Sequence, residues 1–66
     1  MEVDGMRLKE LRRERALSQR ELARLSGVSY DAIAKLERGH REAQPRTVRR
    51  LAEALGVEPK ELLKGD

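Results

Sequence analysis

Two short helical stretches separated by a glycine occupy the middle of the chain. More than any other feature of the sequence, this arrangement constrains the fold that the chain can adopt. Ser18 is followed three residues later by Glu21, the pattern of a capping box at a helix start. Gly27 can adopt the left-handed conformation that ends a helix, and Ser29 can cap a second helix directly afterwards. A steep crossing and a plain antiparallel hairpin both use connections of this length, so the spacing leaves the crossing angle open.

The apolar residues predict which sides of the two stretches face the core. In the first stretch, the inward face consists of Leu22, Ala23 and Leu25. When the residues of the second are placed about 100° apart, one arc contains Ala32, Ile33 and Leu36. The opposite arc is mostly polar and contains Tyr30, Asp31, Ala34, Lys35 and Arg38. We expect this outer arc to face a partner, with the small Ala34 leaving room for close approach.

The stretch from Gln19 to Arg38 resembles the helix-turn-helix motif of the Cro and lambda-repressor-like (Xre-type) family. That motif expects alanine, glycine and two branched aliphatic residues at places filled here by Ala23, Gly27, Ile33 and Leu36. The family often pairs an arginine of the first helix with a glutamate that ends the recognition helix, and Arg12 and Glu37 stand at those places. The resemblance covers nearly the whole chain and implies an all-α, compact five-helix lambda-repressor-like domain.

The remaining helices are predicted from their ends. Helix one is expected from about Met6 to Ala16, after a short N-terminal extension of residues 1–5. Pro45 opens helix four, where its missing N–H is harmless, and Gly56 ends it. Pro59 opens a last helix. We therefore expect five helices, no strands and one helix-turn-helix DNA-binding domain over residues 6–66.

Composition excludes several classes of protein. The chain has 66 residues, which allows one small domain. It has no cysteine and only one histidine, His40, so disulfides, thiolate metal sites and multi-histidine metal sites are excluded. No nucleophile and base pair can be assigned, and we expect no enzyme activity, no cofactor and no small-molecule ligand. With no apolar run of membrane-spanning length and no signal peptide in Met1–Gly5, we expect a cytoplasmic protein without membrane contact.

Positive charge is concentrated after the second helical stretch. Residues 38–50 carry five arginines and one glutamate, a net charge of +4, whereas the whole chain carries +3. A DNA phosphate backbone would lie against such a segment. The alternative is a solvated arginine-rich loop that binds nothing.

The resemblance implies a site for double-stranded DNA. Gln19 starts the second helix, where family members commonly bind a phosphate, and the residues after the recognition helix resemble a second phosphate clamp. The chain departs from the family pattern at Glu42, which adds a negative charge, and at Gln44, which replaces the usual serine or aspartate cap. The predicted DNA-binding set is Gln19, Ser29, Tyr30, Asp31, Ala34, Lys35, Arg38, His40 and Arg41.

Four residues of the outer arc have individual interpretations. Tyr30 contacts a base edge or a phosphate, or is an incidental surface tyrosine. Lys35 donates to guanine or phosphate, or is a solvated lysine, and the methyl group of Ala34 can meet a thymine methyl. Asp31 is better explained by its favourable position at the positive end of the helix dipole than by a DNA contact.

The sequence thus predicts a DNA-binding transcriptional regulator, a repressor or autoregulator that binds a near-palindromic operator as a homodimer. Two recognition helices would then lie about 34 Å apart. Adjacent Leu62 and Leu63 point about 100° apart, so they rarely both face one core. We therefore expect one of these side chains to remain exposed and to support a weak dimer through the last helix. With no residues left for an effector domain, control by protein concentration is expected. The alternative is an antitoxin-like or partner-docking module, which the acidic Asp31 favours.

Overall fold

The computed structural model describes residues 1–65, which form four α-helices and one 3-10 helix. The α-helices are α1 (Gly5–Glu14), α2 (Gln19–Ser26), α3 (Tyr30–Glu37) and α4 (Pro45–Leu55), and the 3-10 helix spans Pro59–Leu62. These residues contain only isolated β-bridges and no strand, so the all-α prediction is confirmed. No helix within residues 1–65 is both long and apolar enough to cross a membrane.

The fifth helix and the end of the first differ from the sequence prediction. Pro59 opens only four residues of 3-10 helix, because the backbone at Leu63 is already extended. Helix α1 ends at Glu14, two residues before the predicted Ala16, whose φ of 55° takes the chain out of the helix. The prediction of five helices is therefore corrected to four α-helices and a 3-10 helix in the described residues.

The predicted caps of α2 and α3 are confirmed. The Glu21 backbone N–H donates to Ser18 Oγ at 3.0 Å, and the Ser18 N–H donates to Glu21 Oε1 at 2.8 Å. The hydrogen bond that the Ser18 N–H donates to the carboxylate lowers the pKa of Glu21. Gly27 ends α2 with a φ of 75°, and Ser29 Oγ accepts from the Ala32 N–H at 3.1 Å. The turn between α2 and α3 is thus fixed at both ends by local hydrogen bonds and by one left-handed residue.

A single core joins all the helices. Its buried members come from every element and from the segment before α1: Val3, Leu8, Leu11, Leu22, Val28, Ile33, Leu36, Val48, Leu51, Ala52, Leu55 and Leu62. Leu25, predicted to face inward, is 62% exposed, and Val28 beyond the turn is buried instead. Leu62 is fully buried and Leu63 packs partly against the core, so neither is a surplus apolar residue. The predicted reason for dimerisation through the last helix is therefore wrong.

The segment before α1 packs against the rest of the domain. Val3 is fully buried, its N–H donates to the Arg41 carbonyl at 2.6 Å, and the Asp4 N–H donates to the Leu62 carbonyl at 2.8 Å. Asp4 also caps α1 by accepting from the Arg7 N–H at 3.2 Å. The segment thereby ties the loop after α3 to the C-terminal 3-10 helix.

A buried ion pair between Arg12 and Glu37 joins α1 to the end of α3. Arg12 Nε donates to Glu37 Oε2 at 2.8 Å and Arg12 Nη2 donates to Glu37 Oε1 at 2.9 Å. Arg12 Nη1 also donates to the Leu17 carbonyl at 2.7 Å, and Gln19 Nε2 donates to Glu37 Oε1 at 3.0 Å. Only 9% of the Arg12 side chain and 4% of the Glu37 side chain are exposed. The predicted pair is confirmed, and with Gln19 it fixes α3 against both α1 and α2.

The hydrogen bonds of this network outweigh the effect of burial on its carboxylate. Burial alone raises the pKa of Glu37, but the hydrogen bonds from Arg12 and Gln19 and the charge of Arg12 bring that pKa below its ordinary value. The hydrogen bond from Arg12 to Glu37 in turn raises the pKa of Arg12. Both groups are therefore charged near neutral pH.

We expect Gly5→Ala to destabilise the domain although alanine favours helices. A Cβ at Gly5 would collide with the carbonyl oxygen of Leu36 and lie 3.2 Å from the Cα of Glu37. Overpacking of this kind costs about 1 to 3 kcal/mol, more than the gain of about 1 kcal/mol in helix propensity. Urea unfolding measures the change, with Gly65→Ala as control because nothing lies within 4 Å of that position. A Gly5→Ala variant as stable as the wild type would contradict the close approach of α1 to α3.

Glu37→Ala is expected to lower the free energy of unfolding by about 3 to 5 kcal/mol, because it leaves the Arg12 guanidinium buried without its partner. Glu10→Ala, which removes an exposed partner 3.5 Å from Arg7, is the control and is expected to cost about 0 to 1 kcal/mol. Replacing Arg12 and Glu37 together should cost less than the sum of the single changes. Strict additivity would mean that the two side chains do not interact.

The same pair predicts how stability depends on pH. Because the pKa of Glu37 is lower in the folded chain, its contribution is complete above about pH 4.3, the value for an unfolded glutamate, and is lost as the pH falls through the folded-state pKa. The difference in unfolding free energy between the wild type and Glu37→Gln should therefore shrink in acid. A difference that stays constant from neutral pH to acid would contradict the assignment.

Candidate nucleic-acid interface

The first turn of α2 lies beside α3 and reaches both ends of it. Gln19 bonds to Glu37 in the last turn of α3, whereas the Arg20 guanidinium lies 4.6 Å from the centroid of the Tyr30 ring at the start of α3. An antiparallel hairpin would bring the first turn of α2 only to the end of α3. The contacts at both ends therefore favour the steep crossing, which leaves one side of α3 open to solvent.

Four of the five residues predicted for the outer arc of α3 are exposed, Arg38 among them. Tyr30 is 43% exposed, and Asp31 and Lys35 are also exposed. Ala34 is only 8% exposed, which corrects the prediction that its methyl group faces a DNA groove. Helix α3 packs against α1 as well as α2, so its buried arc is wider than its apolar residues alone predict.

Asp31 and Lys35 form an ion pair one helical turn apart on the exposed side of α3. Lys35 Nζ lies 3.2 Å from Asp31 Oδ2, and both side chains are at least half exposed. Such exposed pairs stabilise a helix by about 0.3 to 0.5 kcal/mol. Lys35 can therefore exchange this partner for a base or a phosphate at little cost.

Gln19 and Ser29 are each partly engaged within the protein. The amide nitrogen of Gln19 donates to Glu37, which leaves the side-chain oxygen and a backbone N–H at the positive end of α2. Ser29 Oγ accepts from Ala32, and its hydroxyl hydrogen is a remaining donor. Both residues can bind a phosphate, Gln19 through its backbone and Ser29 through its hydroxyl group.

The loop after α3 carries three of the predicted phosphate ligands in exposed positions. Arg38 is the C-cap residue that directly follows α3. The His40 N–H donates to the Lys35 carbonyl at 3.0 Å, and this hydrogen bond turns the chain away from the helix axis. Arg41 Nη1 lies 3.3 Å from Glu2 Oε2, with 62% of the Arg41 side chain exposed. Gln44 makes no side-chain cap on α4, as its departure from the family pattern indicates.

A recess of about 330 Å³ at the start of α2 contains a residue that the sequence analysis missed. It is lined by Arg12, Ser18, Gln19, Arg20 and Tyr30. Arg20 escaped notice because its contact with Tyr30 depends on the crossing angle of α2 and α3. The one sequence signal that could have identified Arg20 is its positive charge in the first turn of a helix, where the helix dipole disfavours a positive charge.

The basic segment predicted after α3 presents its arginines to solvent, while Val48 within it is buried. Its arginines lie in the loop and on α4, and all five are exposed: Arg38, Arg41, Arg46, Arg49 and Arg50. In residues 1–65 no group of three or more histidine, cysteine or acidic side chains is arranged to hold a metal ion. The exposed arginines offer hydrogen bonding and charge attraction.

Several of the known proteins that this chain resembles are named as transcriptional regulators. The repressor RghR of Bacillus subtilis (strain 168), named as an HTH-type transcriptional repressor, is 45% identical over 58 residues, which cover 86% of this chain but 43% of RghR. The chain thus spans less than half the length of that relative. The restriction-modification controller protein C.AhdI of Aeromonas hydrophila matches with a TM-score of 0.83 and 44% identity over 89% of both chains.

A further solved structure, the P22 c2 repressor protein in complex with a synthetic operator, matches with a TM-score of 0.85 and 33% identity over 100% of both chains. The sequence profile of the helix-turn-helix family matches residues 8–62. The resemblance of the Gln19 to Arg38 stretch to that family is therefore confirmed. The chain belongs to the helix-turn-helix family.

Proposed function

We propose that the chain binds double-stranded DNA sequence-specifically and regulates transcription, as a repressor or autoregulator. The observation that carries the proposal is the rigid support of α3, whose end is fixed by Arg12 and Gln19 while its exposed side presents Tyr30 and Lys35. The relative RghR is named as a repressor, and the P22 c2 repressor was solved with an operator. Because the proposed ligand is DNA, we also infer a cytoplasmic location.

The candidate residues divide into two groups by chemistry. Lys35, on the open side of α3, would contact base edges in the major groove, and the ring of Tyr30 would line the same surface. The flanking residues would contact phosphates and set the position of the helix: Gln19, Ser29, Arg38, His40 and Arg41. Asp31 would orient Lys35 and stabilise the start of α3 rather than bind DNA.

Two copies on a near-palindromic site fit the small size of the recognition helix. Helix α3 has eight residues and is about 12 Å long, so one copy spans only three or four base pairs. A second copy on an inverted half-site would double the sequence that is recognised. The buried Leu62 gives no reason to place this homodimer contact at the last helix. No small-molecule ligand is part of this proposal.

A partner-docking or antitoxin-like role is the second candidate. It is favoured by Asp31, an acidic residue at the head of α3, and by Leu25, whose side chain is 62% exposed on α2. An apolar side chain on this helix suits a protein surface better than a phosphate backbone. This candidate predicts binding that does not depend on DNA.

Selection of bound duplexes from a random pool tests the proposed function. We expect an enriched sequence made of two inverted half-sites, and sedimentation should show two copies of the chain on it. If selection enriches one half-site without an inverted repeat and a single copy binds it, the dimer is contradicted but DNA recognition is not. Failure to enrich any sequence would contradict DNA recognition and favour the partner-docking role.

Binding to the selected duplex should weaken steeply with salt. If five to eight phosphates are neutralised per dimer, log affinity falls with log salt concentration at a slope of about −5 to −7, since each contact releases counterions. Fluorescence anisotropy of a labelled duplex measures this slope. A slope near zero would show that the basic segment does not contact the backbone.

Variants at Lys35 and Arg41 should separate base recognition from phosphate binding. Lys35→Ala is expected to cost about 1 to 3 kcal/mol on the selected duplex and to relax the preference at particular base pairs. Arg41→Ala should weaken binding to all sequences alike and reduce the salt slope by about 1. Titrations with the selected duplex and a scrambled duplex check both. A uniform loss for Lys35→Ala would mean that the open side of α3 does not contact bases.

A further inference from the structure

The guanidinium group of Arg20 lies over the ring of Tyr30 at the N-terminal end of the open side of α3. The guanidinium carbon of Arg20 lies 4.6 Å from the centroid of the Tyr30 ring, well within the range of a cation–π interaction. Both residues are exposed, and Tyr30 is the only aromatic residue in the chain. The contact joins the second residue of α2 to the first residue of α3.

The position of Arg20 is not explained by the stability of α2. A positive charge in the first turn is opposed by the helix dipole, and within residues 1–65 Arg20 makes no ion pair. The adjacent Glu21 carboxylate instead accepts the Ser18 N–H in the capping box. A residue that opposes local stability at the edge of a binding surface indicates a role in binding.

Stacking holds the guanidinium without using its donors. An ion pair occupies N–H groups, as Asp31 does with Lys35, whereas an aromatic ring contacts the face of the guanidinium and leaves its five N–H groups in the plane. Contact with the ring also restricts the orientations open to the guanidinium group. A phosphate accepts donors from many directions, but a bidentate contact with guanine O6 and N7 needs an oriented fork.

We propose that Arg20, held by the ring of Tyr30, recognises a guanine in the major groove at the outer end of each half-site. Tyr30 acts as the stacking platform in this contact, and its hydroxyl group is not required. Gln19, the neighbouring residue, is less suited to such a contact because its amide nitrogen already donates to Glu37. The inference rests on the proposed DNA-binding function and adds a specificity-determining residue to it.

Selection from a random pool, repeated with variants of the pair, tests the proposal. Arg20→Ala should lower the preference for guanine at one position of each half-site by about 5- to 140-fold, the value of a bidentate contact. Arg20→Lys keeps the charge but lacks the fork, so it should lose the same preference while keeping the salt slope. Arg24→Ala, which removes an exposed arginine from the last turn of α2, is the control and should keep the guanine preference.

Two variants of Tyr30 separate stacking from a direct contact by the hydroxyl group. Tyr30→Phe keeps the ring and should keep the guanine preference, whereas Tyr30→Leu removes the ring and should weaken it. In the free protein, NMR should show upfield shifts of the Arg20 side-chain protons in the wild type and Tyr30→Phe but not in Tyr30→Leu. This measurement does not involve DNA, and an absence of shifted Arg20 protons in the wild type would overturn the stacked pair.

The outcomes distinguish this inference from the proposed function. If the wild type enriches no sequence, both are contradicted. If the wild type enriches a sequence and Arg20→Ala enriches the same one with its guanine preference intact, only the Arg20 contact is overturned. A uniform loss of affinity for Arg20→Ala on all duplexes would also overturn it, because that result indicates a phosphate contact. Loss of binding by Tyr30→Phe would show that the hydroxyl group, and not the stack, contacts DNA.

Discussion

The position of the recognition helix depends on the buried contact between Arg12 and Glu37. This pair joins the last turn of α3 to α1 by two hydrogen bonds of 2.8 and 2.9 Å, and Gln19 adds a third bond from α2. Two charges in a largely dry environment are stable only while they remain together, because either one alone would be strongly destabilising. The pair therefore restricts α3 to one position among its neighbours. Since a side chain must be placed within a fraction of an ångström to contact a base edge, this restriction is what makes an eight-residue helix usable for recognition.

The binding surface is assembled from residues on both sides of that contact. Gln19 belongs to the support through its amide nitrogen and to the surface through its backbone, so the interior of the domain and the proposed DNA-binding surface share one residue. The loop after α3 is held both by the hydrogen bond from His40 to the Lys35 carbonyl and by the backbone bond from Val3 to Arg41. The small core thus supports the recognition helix and the basic loop that follows it.

Features governed by local chemistry could be predicted from the sequence, and features governed by the neighbours of a helix could not. The caps at Ser18 and Ser29 and the helix end at Gly27 depend on nearby atoms, and all three were predicted correctly. Leu25 and Ala34 were placed on the wrong sides because a helical wheel does not show which sides other helices cover. The stack of Arg20 on Tyr30 was missed for a related reason, since it exists only at the crossing angle that the sequence leaves open.

The central claim is that one continuous surface, formed by the start of α2, the open side of α3 and the loop after it, binds DNA. Amide chemical shifts recorded during titration with the selected duplex test this claim most directly. The account predicts that the largest changes occur at residues 18–21, 29–35 and 38–41, while the 3-10 helix at Pro59–Leu62 changes little. Changes concentrated at the 3-10 helix, with the open side of α3 unaffected, would contradict it.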